Sequence, residues 1–312
     1  MVAVSPPEDL ETRSLDDGIA EYLLACDIEG KSPRTVQAYQ ESLSLFRRVC
    51  IARDLPTTVG EFRAVHIYQF LKAVQDTGVS IGTRHRRFRE TRTLFSWALR
   101  MGYCARNPFA GIPNVRLEQK VVQPYTPEEV QSLLDICDPV TEFGCRNRAI
   151  ILLLLDTGLR ASELLQLTLA DVQWEERRIH IRWGKGRKQR VVPLGDRPAA
   201  AIRDYVTGFR GDAPGCVFLA SRGPRLPLAP FSLVTLFDRL GRRAGGRHVH
   251  AHRFRHTFAT WAIENQAREL DVQYLLGHST SAMVRRDAAT YDSAKAAAAH
   301  SGFSPMRRLP TS

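Results

Sequence analysis

A stretch rich in proline and glycine divides this 312-residue chain and limits the folds that it can adopt. Residues 111–124 carry Gly111, Pro113 and Pro124 among charged residues, which is typical of an extended interdomain linker. Directly afterwards, Thr126 and Glu129 stand three residues apart, which predicts a helix that begins with a capping box. Because single cores rarely grow to this chain length, we expect two domains that meet at the linker.

The segment before the linker, residues 15–110, has the pattern of a small all-helical domain. Breaks at residues 30–33, 55–57 and 77–80 separate four predicted helices, and Ser32 and Thr57 are plausible helix starts. Residues 1–14 contain prolines and acids and are expected to be disordered.

The last of these helices, residues 81–101, is predicted to have a packing side and a basic side. The packing stripe contains Phe88, Phe95 and Leu99. Three arginines fall on the other side: Arg86, Arg89 and Arg100. Such arginines most often form a solvated surface, and they are interpreted as DNA contacts only because the rest of the chain favours DNA.

The composition favours a polyanionic partner and a reducing compartment. Lys and Arg outnumber Asp and Glu by 44 to 33, which gives a net charge of +11 and an isoelectric point near 9.7. The six cysteines are scattered without a CxxC pair, so we interpret them as packing residues. The start lacks the pattern of a signal peptide and no apolar run is long enough for a membrane span, which predicts a cytoplasmic, nucleoid-associated protein.

The second domain, residues 125–312, is predicted to be helical around a small antiparallel sheet, so the whole chain is mainly α. An apolar helix at residues 146–155 ends near Gly158, and another helix occupies residues 161–167. Residues 179–183 and 190–194 alternate with period two around a basic tip, which predicts a β-hairpin. An alanine-rich helix at residues 294–299 precedes a basic tail.

Ordered sequence boxes in this domain indicate its chemistry. They are TGLRASEL at 157–164, GKG at 184–186, HRFRHTFAT at 252–260, LLGHS at 275–279 and a late tyrosine, Tyr291. Arginine, lysine and histidine are the side chains needed to hold one phosphodiester while a tyrosine attacks it. In order and interval, the boxes resemble those of the tyrosine recombinases, the phage integrase family. The resemblance implies a helical, SAM-like core-binding domain that contacts DNA and an α+β catalytic domain.

The resemblance also implies roles for individual side chains. Arg160 and Arg255 would hold the phosphate oxygens, His252 would act as acid or base toward the tyrosine hydroxyl, and Lys185 would protonate the departing 5′ oxygen. Glu163, one turn after Arg160, would orient that guanidinium. Arg187 and Lys188 compete with Lys185 for its role and are otherwise expected to contact DNA.

His278 and Tyr291 complete the implied set. His278 would hydrogen-bond the phosphate or the nucleophile; the alternative is a helix-capping histidine. Tyr291 is chosen as nucleophile because it is the only tyrosine after Tyr274, which we interpret as a packing residue. Tyr291 follows His278 by 13 residues, an interval longer than the family's usual one.

The third box also raises the alternative of a metal site. Four histidines crowd together near the third box: His248, His250, His252 and His256. They suggest a zinc site, but no carboxylate or cysteine stands in matching register, so no metal and no other cofactor is expected and His256 is interpreted as a buried helix residue.

The predicted activity is site-specific DNA recombination through a 3′-phosphotyrosyl intermediate, without ATP or metal. The expected partner is double-stranded DNA with paired inverted-repeat sites, bound by a homo- or hetero-tetramer, and no membrane partner is expected. A type IB topoisomerase and a non-catalytic DNA-binding protein of the same fold are the alternatives.

Overall fold

The computed structural model describes residues 13–117, 122–182, 189–221, 223–246, 248–278, 280 and 283–285. The chain divides into two compact units, Met1–Gln119 and Lys120–Ser312. The described parts of both units are mainly helical, and a three-stranded antiparallel sheet lies in the second. The predicted fold class is therefore confirmed.

The described part of the first unit is built on four α-helices. These are α1 (Leu15–Ile28), α2 (Pro33–Ala52), α3 (Ala64–Asp76) and α4 (Ile81–Arg100). Serine hydroxyls at Ser14, Ser32 and Ser80 accept hydrogen bonds from the first turns of α1, α2 and α4. The four predicted helices are confirmed, but Thr57 starts none of them, because a short 3-10 turn at Val59–Glu61 precedes α3.

The first unit differs from prediction at its start. The backbone carbonyl of Arg13 accepts a hydrogen bond from the Val59 amide at 2.9 Å, and Ser14 caps α1. The predicted disordered segment 1–14 therefore includes two ordered residues, and residues 1–12 lie outside the described chain.

Aromatic side chains fill the core of the first unit. The ring of Phe46 lies 4.9 Å from that of Phe70 and 5.8 Å from that of Phe95, both edge-on. Helix α4 contributes a buried stripe through Leu94, Phe95 and Ala98. Leu99 was predicted to pack but is 42% exposed, because it lies at the edge of that stripe in the last turn of α4.

The described part of the second unit contains seven α-helices. They are α5 (Pro127–Asp135), α6 (Glu142–Thr157), α7 (Ala161–Gln166), α8 (Asp196–Tyr205), α9 (Pro230–Arg243), α10 (Ala251–Glu264) and α11 (Glu269–Leu276). The predicted capping box of α5 is confirmed, with Thr126 and Glu129 exchanging backbone-to-side-chain hydrogen bonds. Helix α6 lies at the centre of this unit and packs against α8 and α10. Its aliphatic residues are buried on several sides, which explains its apolar sequence.

The predicted hairpin is confirmed in its strands. Strands β1 (Val172–Gln173), β2 (Arg178–Ile181) and β3 (Arg190–Pro193) pair antiparallel in that order. Ile179 faces Val192 and Ile181 faces Arg190 across β2 and β3. The basic tip of the hairpin, residues 183–188, lies outside the described residues.

Two composition-based predictions can be compared with the structure. All six cysteines are free thiols, and five of them are buried, as expected for packing residues; Cys216 is half-buried. Within the described ranges, no helix combines the length and the apolar character needed to cross a membrane.

Candidate active site

The first part of the site lies where α6 ends and α7 begins. Gly158 ends α6 in the left-handed region at a φ of 61°, and Arg160 occupies the N-cap position of α7. A Cβ atom on Gly158 would stand 2.5 Å from Leu276 Cδ2 and 2.8 Å from Phe258 Cδ1. Only glycine therefore allows the end of α6 to approach α10 and α11 this closely.

Arg160 is held by both its backbone and its side chain. Its amide and its Nη1 donate hydrogen bonds to the two carboxylate oxygens of Glu163, each at 2.9 Å. Its Nη2 donates to the carbonyl of Gly277 at 3.3 Å. The side chain keeps 23% exposure, and these side-chain contacts use two of the five N–H donors of a guanidinium.

Glu163 is a buried carboxylate shared between two arginines. Besides Arg160, it accepts hydrogen bonds from Nη1 and Nη2 of Arg190 at 2.9 and 2.8 Å. Burial alone would raise the pKa of the Glu163 carboxyl, but the hydrogen bonds and charge of Arg190, followed by those of Arg160, outweigh it and lower the pKa. Glu163 is therefore held as a carboxylate near neutral pH.

Arg255 lies on α10 and is only 2% exposed. Its Nη1 donates to the carbonyl of Gly158 at 2.9 Å, and its Nη2 donates to the carbonyl of Leu276 at 2.7 Å. This one guanidinium therefore connects the C-terminal ends of α6 and α11.

Three arginines converge on the C-terminal turn of α11. Its consecutive carbonyls Leu275, Leu276 and Gly277 accept hydrogen bonds from Arg190 Nε, Arg255 Nη2 and Arg160 Nη2 at 2.7, 2.7 and 3.3 Å. The last carbonyls of a helix have no partner inside the helix and carry partial negative charge, so guanidinium groups suit them. This turn is the meeting point of α7, β3, α10 and α11.

His278 follows that turn immediately and is buried. Gly277 ends α11 in the left-handed region at a φ of 62°, and the His278 amide donates to the carbonyl of Gln273 at 3.0 Å. His278 is thus one residue beyond the carbonyl that Arg160 contacts.

The histidines of α10 occupy different environments. His252 is exposed, and one turn later His256 is buried, as predicted. Their ring centroids lie 4.4 Å apart. His252 precedes Arg255 by three residues, so both project from the same side of α10.

His250 caps the N-terminus of α10. Its Nδ1 accepts a hydrogen bond from the Arg253 amide at 3.2 Å, which requires the neutral ring. Burial and the neighbouring His248, Arg253 and His256 lower the pKa of His250 below its usual value. Tyr125 is also at this cap, with its hydroxyl accepting from the His250 amide at 3.4 Å.

Some predicted site residues cannot be placed, and one interpretation was wrong. Lys185, Arg187, Lys188 and Tyr291 lie outside the described residues. Tyr274 was interpreted as a packing residue, but it is 65% exposed, because α11 presents that position to solvent and buries Val272 and Leu276 instead.

The predicted DNA-contacting arginines of α4 differ in exposure. Arg89 and Arg100 are exposed. Arg86 lies at the border of the buried stripe, with Nη2 3.9 Å from Glu41 and Nε 4.0 Å from Glu90.

Sequence reasoning missed Arg190. It is only 7% exposed and donates to both Glu163 and the C-terminal turn of α11. One signal could have found it, since Arg190 and Val192 occupy alternate positions of one strand and Val192 faces the core. An arginine at an inward strand position needs a buried anionic partner.

The described residues contain no cluster of three or more His, Cys, Asp or Glu side chains suited to a metal ion.

Comparisons with known proteins identify similar sequences. The sequence pattern described as the phage integrase family matches residues 124–293. The chain is 31% identical to the tyrosine recombinase XerC of Xylella fastidiosa over 254 residues, which covers 80% of this chain and 84% of that protein. It is 32% identical to the tyrosine recombinase XerA of Thermococcus onnurineus over 266 residues, which covers 85% of this chain and 88% of that protein.

Solved structures show the same fold. The integrase of the Tn1549 transposon, in complex with a circular intermediate DNA, matches with a TM-score of 0.75 at 20% identity, covering 94% of this chain and all of that chain. A lambda integrase dimer bound to a core site matches with a TM-score of 0.71 at 19% identity, covering 86% of this chain and 97% of that chain.

Proposed function

The chain belongs to the phage integrase family of tyrosine recombinases, and from that premise we propose that it is a site-specific DNA recombinase working through a 3′-phosphotyrosyl intermediate. One observation carries the proposal. Arg160, Arg255 and His278, which are distant in sequence, are brought to one turn at the end of α11. This arrangement concentrates positive charge and N–H donors at one turn, which supports the binding of a phosphodiester there.

The two arginines are proposed to hold the non-bridging oxygens of the scissile phosphate. Arg160 is partly exposed and anchored by Glu163, so its planar group is presented in a fixed orientation. Arg255 is anchored on the carbonyls of Gly158 and Leu276. Held this way, both groups can stabilise charge that develops on phosphorus oxygens without reorganising.

The remaining steps are assigned to residues around this clamp. The hydroxyl oxygen of Tyr291 attacks phosphorus and loses its proton to His252, while the bond to the 5′ oxygen breaks and Lys185 donates a proton to it. The 5′ hydroxyl of a partner strand then attacks the phosphotyrosyl bond, which releases Tyr291. Each step exchanges one phosphoester for another, so no ATP is consumed.

DNA binding is proposed to involve both units. The exposed Arg89 and Arg100 would contact phosphates from α4, and Arg187 and Lys188 would do so from the hairpin. We propose that protomers assemble as a tetramer on paired inverted-repeat sites and that the protein acts at the nucleoid. The positive net charge supports such a location.

A nicked DNA half-site tests the proposal. A duplex selected by the protein from a random pool is nicked beside the candidate cleavage position, so that cleavage releases a short fragment and traps the covalent adduct. The wild type is expected to form an adduct visible by denaturing electrophoresis, and Tyr291→Phe is expected to abolish it. Tyr274→Phe is the matched control, because it removes an exposed hydroxyl of the same unit, and it should leave the adduct unchanged.

Further outcomes separate the alternatives. Strand exchange between two intact sites supports recombination. Relaxation of supercoiled DNA without exchange would instead indicate a topoisomerase, and tight DNA binding without any adduct would indicate a non-catalytic protein. An adduct that survives Tyr291→Phe would contradict the choice of nucleophile.

A further inference from the structure

We propose that Arg190 is a positioning residue for strand cleavage, one that holds Arg160 and the His278 turn in register; this inference rests on the recombinase function proposed above. Arg190 is the first residue of β3 and is buried among the elements that form the site. In the proposed mechanism it contacts neither the substrate phosphate nor the nucleophile. Its contribution would come through the groups that it orients.

Arg190 joins two parts of the site. Through Nη1 and Nη2 it binds both oxygens of Glu163, at 2.9 and 2.8 Å, and through Nε it binds the carbonyl of Leu275 at 2.7 Å. Glu163 in turn holds Arg160, and Leu275 is three residues before His278. A displacement of Arg190 therefore reaches both the phosphate clamp and the histidine turn.

The geometry requires a guanidinium. A bidentate contact with a carboxylate, together with an Nε bond in a different direction, uses the planar fork of arginine. A lysine ammonium donates from a single nitrogen atom. It cannot reproduce the three directions in which Arg190 contacts the two carboxylate oxygens and the carbonyl. Lysine preserves the charge at this site but loses the orientation.

The packing around Arg190 leaves little freedom. A Cβ atom on Gly277 would lie 3.1 Å from Arg190 Nη1 and 3.4 Å from its Cδ. Gly277 also has a positive φ, which glycine adopts easily and other residues rarely do. Glycine at this position therefore lets the α11 turn pack directly against the Arg190 side chain. Arg190 and the turn carrying His278 are thus fixed against each other.

The strand position of Arg190 adds a connection to the hairpin. Arg190 pairs with Ile181 at the end of the described ladder, and in sequence it stands five residues after Lys185. Arg190 is thus the residue of β3 that binds Glu163, the carboxylate that holds Arg160.

Arg190→Lys tests this role, with Arg210→Lys as the matched control. Arg210 is a buried arginine of the same unit that donates to the backbone carbonyls of Gly211 and Cys216 and has no hydrogen bond to the described residues of the site. Three quantities are measured for each variant: the thermal midpoint, the dissociation constant for the selected DNA, and the first-order cleavage rate of the DNA-bound protein on the nicked half-site.

Arg190→Lys should leave the dissociation constant within about twofold and lower the cleavage rate of the bound complex about 100-fold, the loss typical of a reacting group misplaced by about 1 Å. Arg210→Lys should lower the thermal midpoint but keep the cleavage rate of the bound complex. Equal cleavage rates in Arg190→Lys and wild type would overturn the proposal. A rate loss in both variants that follows their thermal midpoints would also overturn it, because it would show a merely structural role.

A double-mutant cycle with Glu163→Gln gives a second readout. If Arg190 acts through Glu163, the cleavage loss from Arg190→Lys should be much smaller in the Glu163→Gln background than in the wild type. Multiplicative losses would contradict the route through Glu163. Failure of the wild type to form any adduct would overturn the recombinase function, and this inference with it, whereas a failure confined to the Arg190 predictions leaves the recombinase function intact.

Discussion

Among the described residues, each unit has one buried glutamate near arginines, and the two sites are built differently. Glu90 in the first unit and Glu163 in the second are both 3% exposed. Glu90 accepts from the Ser42 hydroxyl, and one of its arginine neighbours, Arg86, stands 4.0 Å away and is partly exposed. Glu163 instead binds the buried Arg190 through two short hydrogen bonds.

The difference separates a tolerant arrangement from a rigid one. An arginine at the surface can turn toward water when its carboxylate is removed, so its charge never becomes stranded. A buried arginine has no such alternative, and loss of its partner leaves an uncompensated charge. The second unit therefore fixes the direction of its guanidinium groups at the cost of being sensitive to single substitutions.

The largest expected effect is on folding stability when each glutamate is truncated. Glu163→Ala should lower the free energy of unfolding of the second unit by about 3–5 kcal/mol, because Arg190 remains buried without its partner. Glu90→Ala should cost the first unit only about 1–2 kcal/mol, the loss of a hydrogen-bonded group whose charged neighbour can reach solvent. Hydrogen exchange read by mass spectrometry resolves the two units, and equal losses would remove the contrast.

The next effect concerns acid stability. The folded pKa of Glu163 lies below its reference value of 4.5, so the carboxylate contributes stability above that value and loses it as the pH falls through the folded pKa. Glu163→Gln should therefore flatten the loss of stability of the second unit below about pH 4.5. Urea unfolding at several pH values measures this slope. Glu90→Gln, which changes the first unit, should leave the acid transition of the second unit unaltered.

A smaller effect distinguishes the helix caps of the two units. Ser80 caps α4 and does not titrate, whereas His250 caps α10 through a neutral ring nitrogen. Since the folded pKa of His250 is below 6.5, stability is present above that pH and is lost as the pH falls from 6.5 toward the lowered pKa.

His250→Asn retains a capping acceptor and should remove this pH dependence of stability between pH 7 and pH 5. Thermal unfolding across this range measures it. Ser80→Ala should lower the stability of the first unit by about 1 kcal/mol at every pH. A pH dependence unaltered by His250→Asn would assign it to another group.

The smallest expected effect concerns DNA affinity. Arg89→Gln should weaken binding about threefold and reduce the slope of log affinity against log salt by about 1, because one phosphate contact is lost. Arg86→Gln should have less effect, since Arg86 already lies beside Glu41 and Glu90. Fluorescence anisotropy at several salt concentrations measures both slopes. A larger effect at Arg86 would show that the arginine beside Glu90 is available to DNA.

Local patterns predicted most of the fold. The helix start at Ser32, the capping box at Thr126 and the alternation around residues 179–194 correctly located helices and strands, because each depends on a few adjacent residues. The error at Leu99 arose where the buried stripe of α4 is set by its neighbours rather than by α4 alone. Arg190 escaped notice for the same reason, because its partners Glu163 and Leu275 lie far away in sequence.

The sequence also suggested which residues gather at the site without indicating how they are held. Arg160, Arg255 and His278 were selected from family boxes, and nothing in those boxes states that helix-end carbonyls organise them. Such contacts use backbone atoms, which every residue possesses, so they leave no mark in the order of side chains.

Because residue 158 is a glycine, the ways in which substitutions can alter this enzyme are restricted. A methyl group at that position would strike Leu276 and Phe258, so a larger residue would push the end of α6 away from both the end of α11 and the middle of α10. The distance between the end of α6 and the end of α11 is therefore set by direct packing of the Gly158 backbone against neighbouring side chains. Substrate preference can vary through the surrounding surface, whereas the dimensions of this junction can hardly be adjusted in small steps.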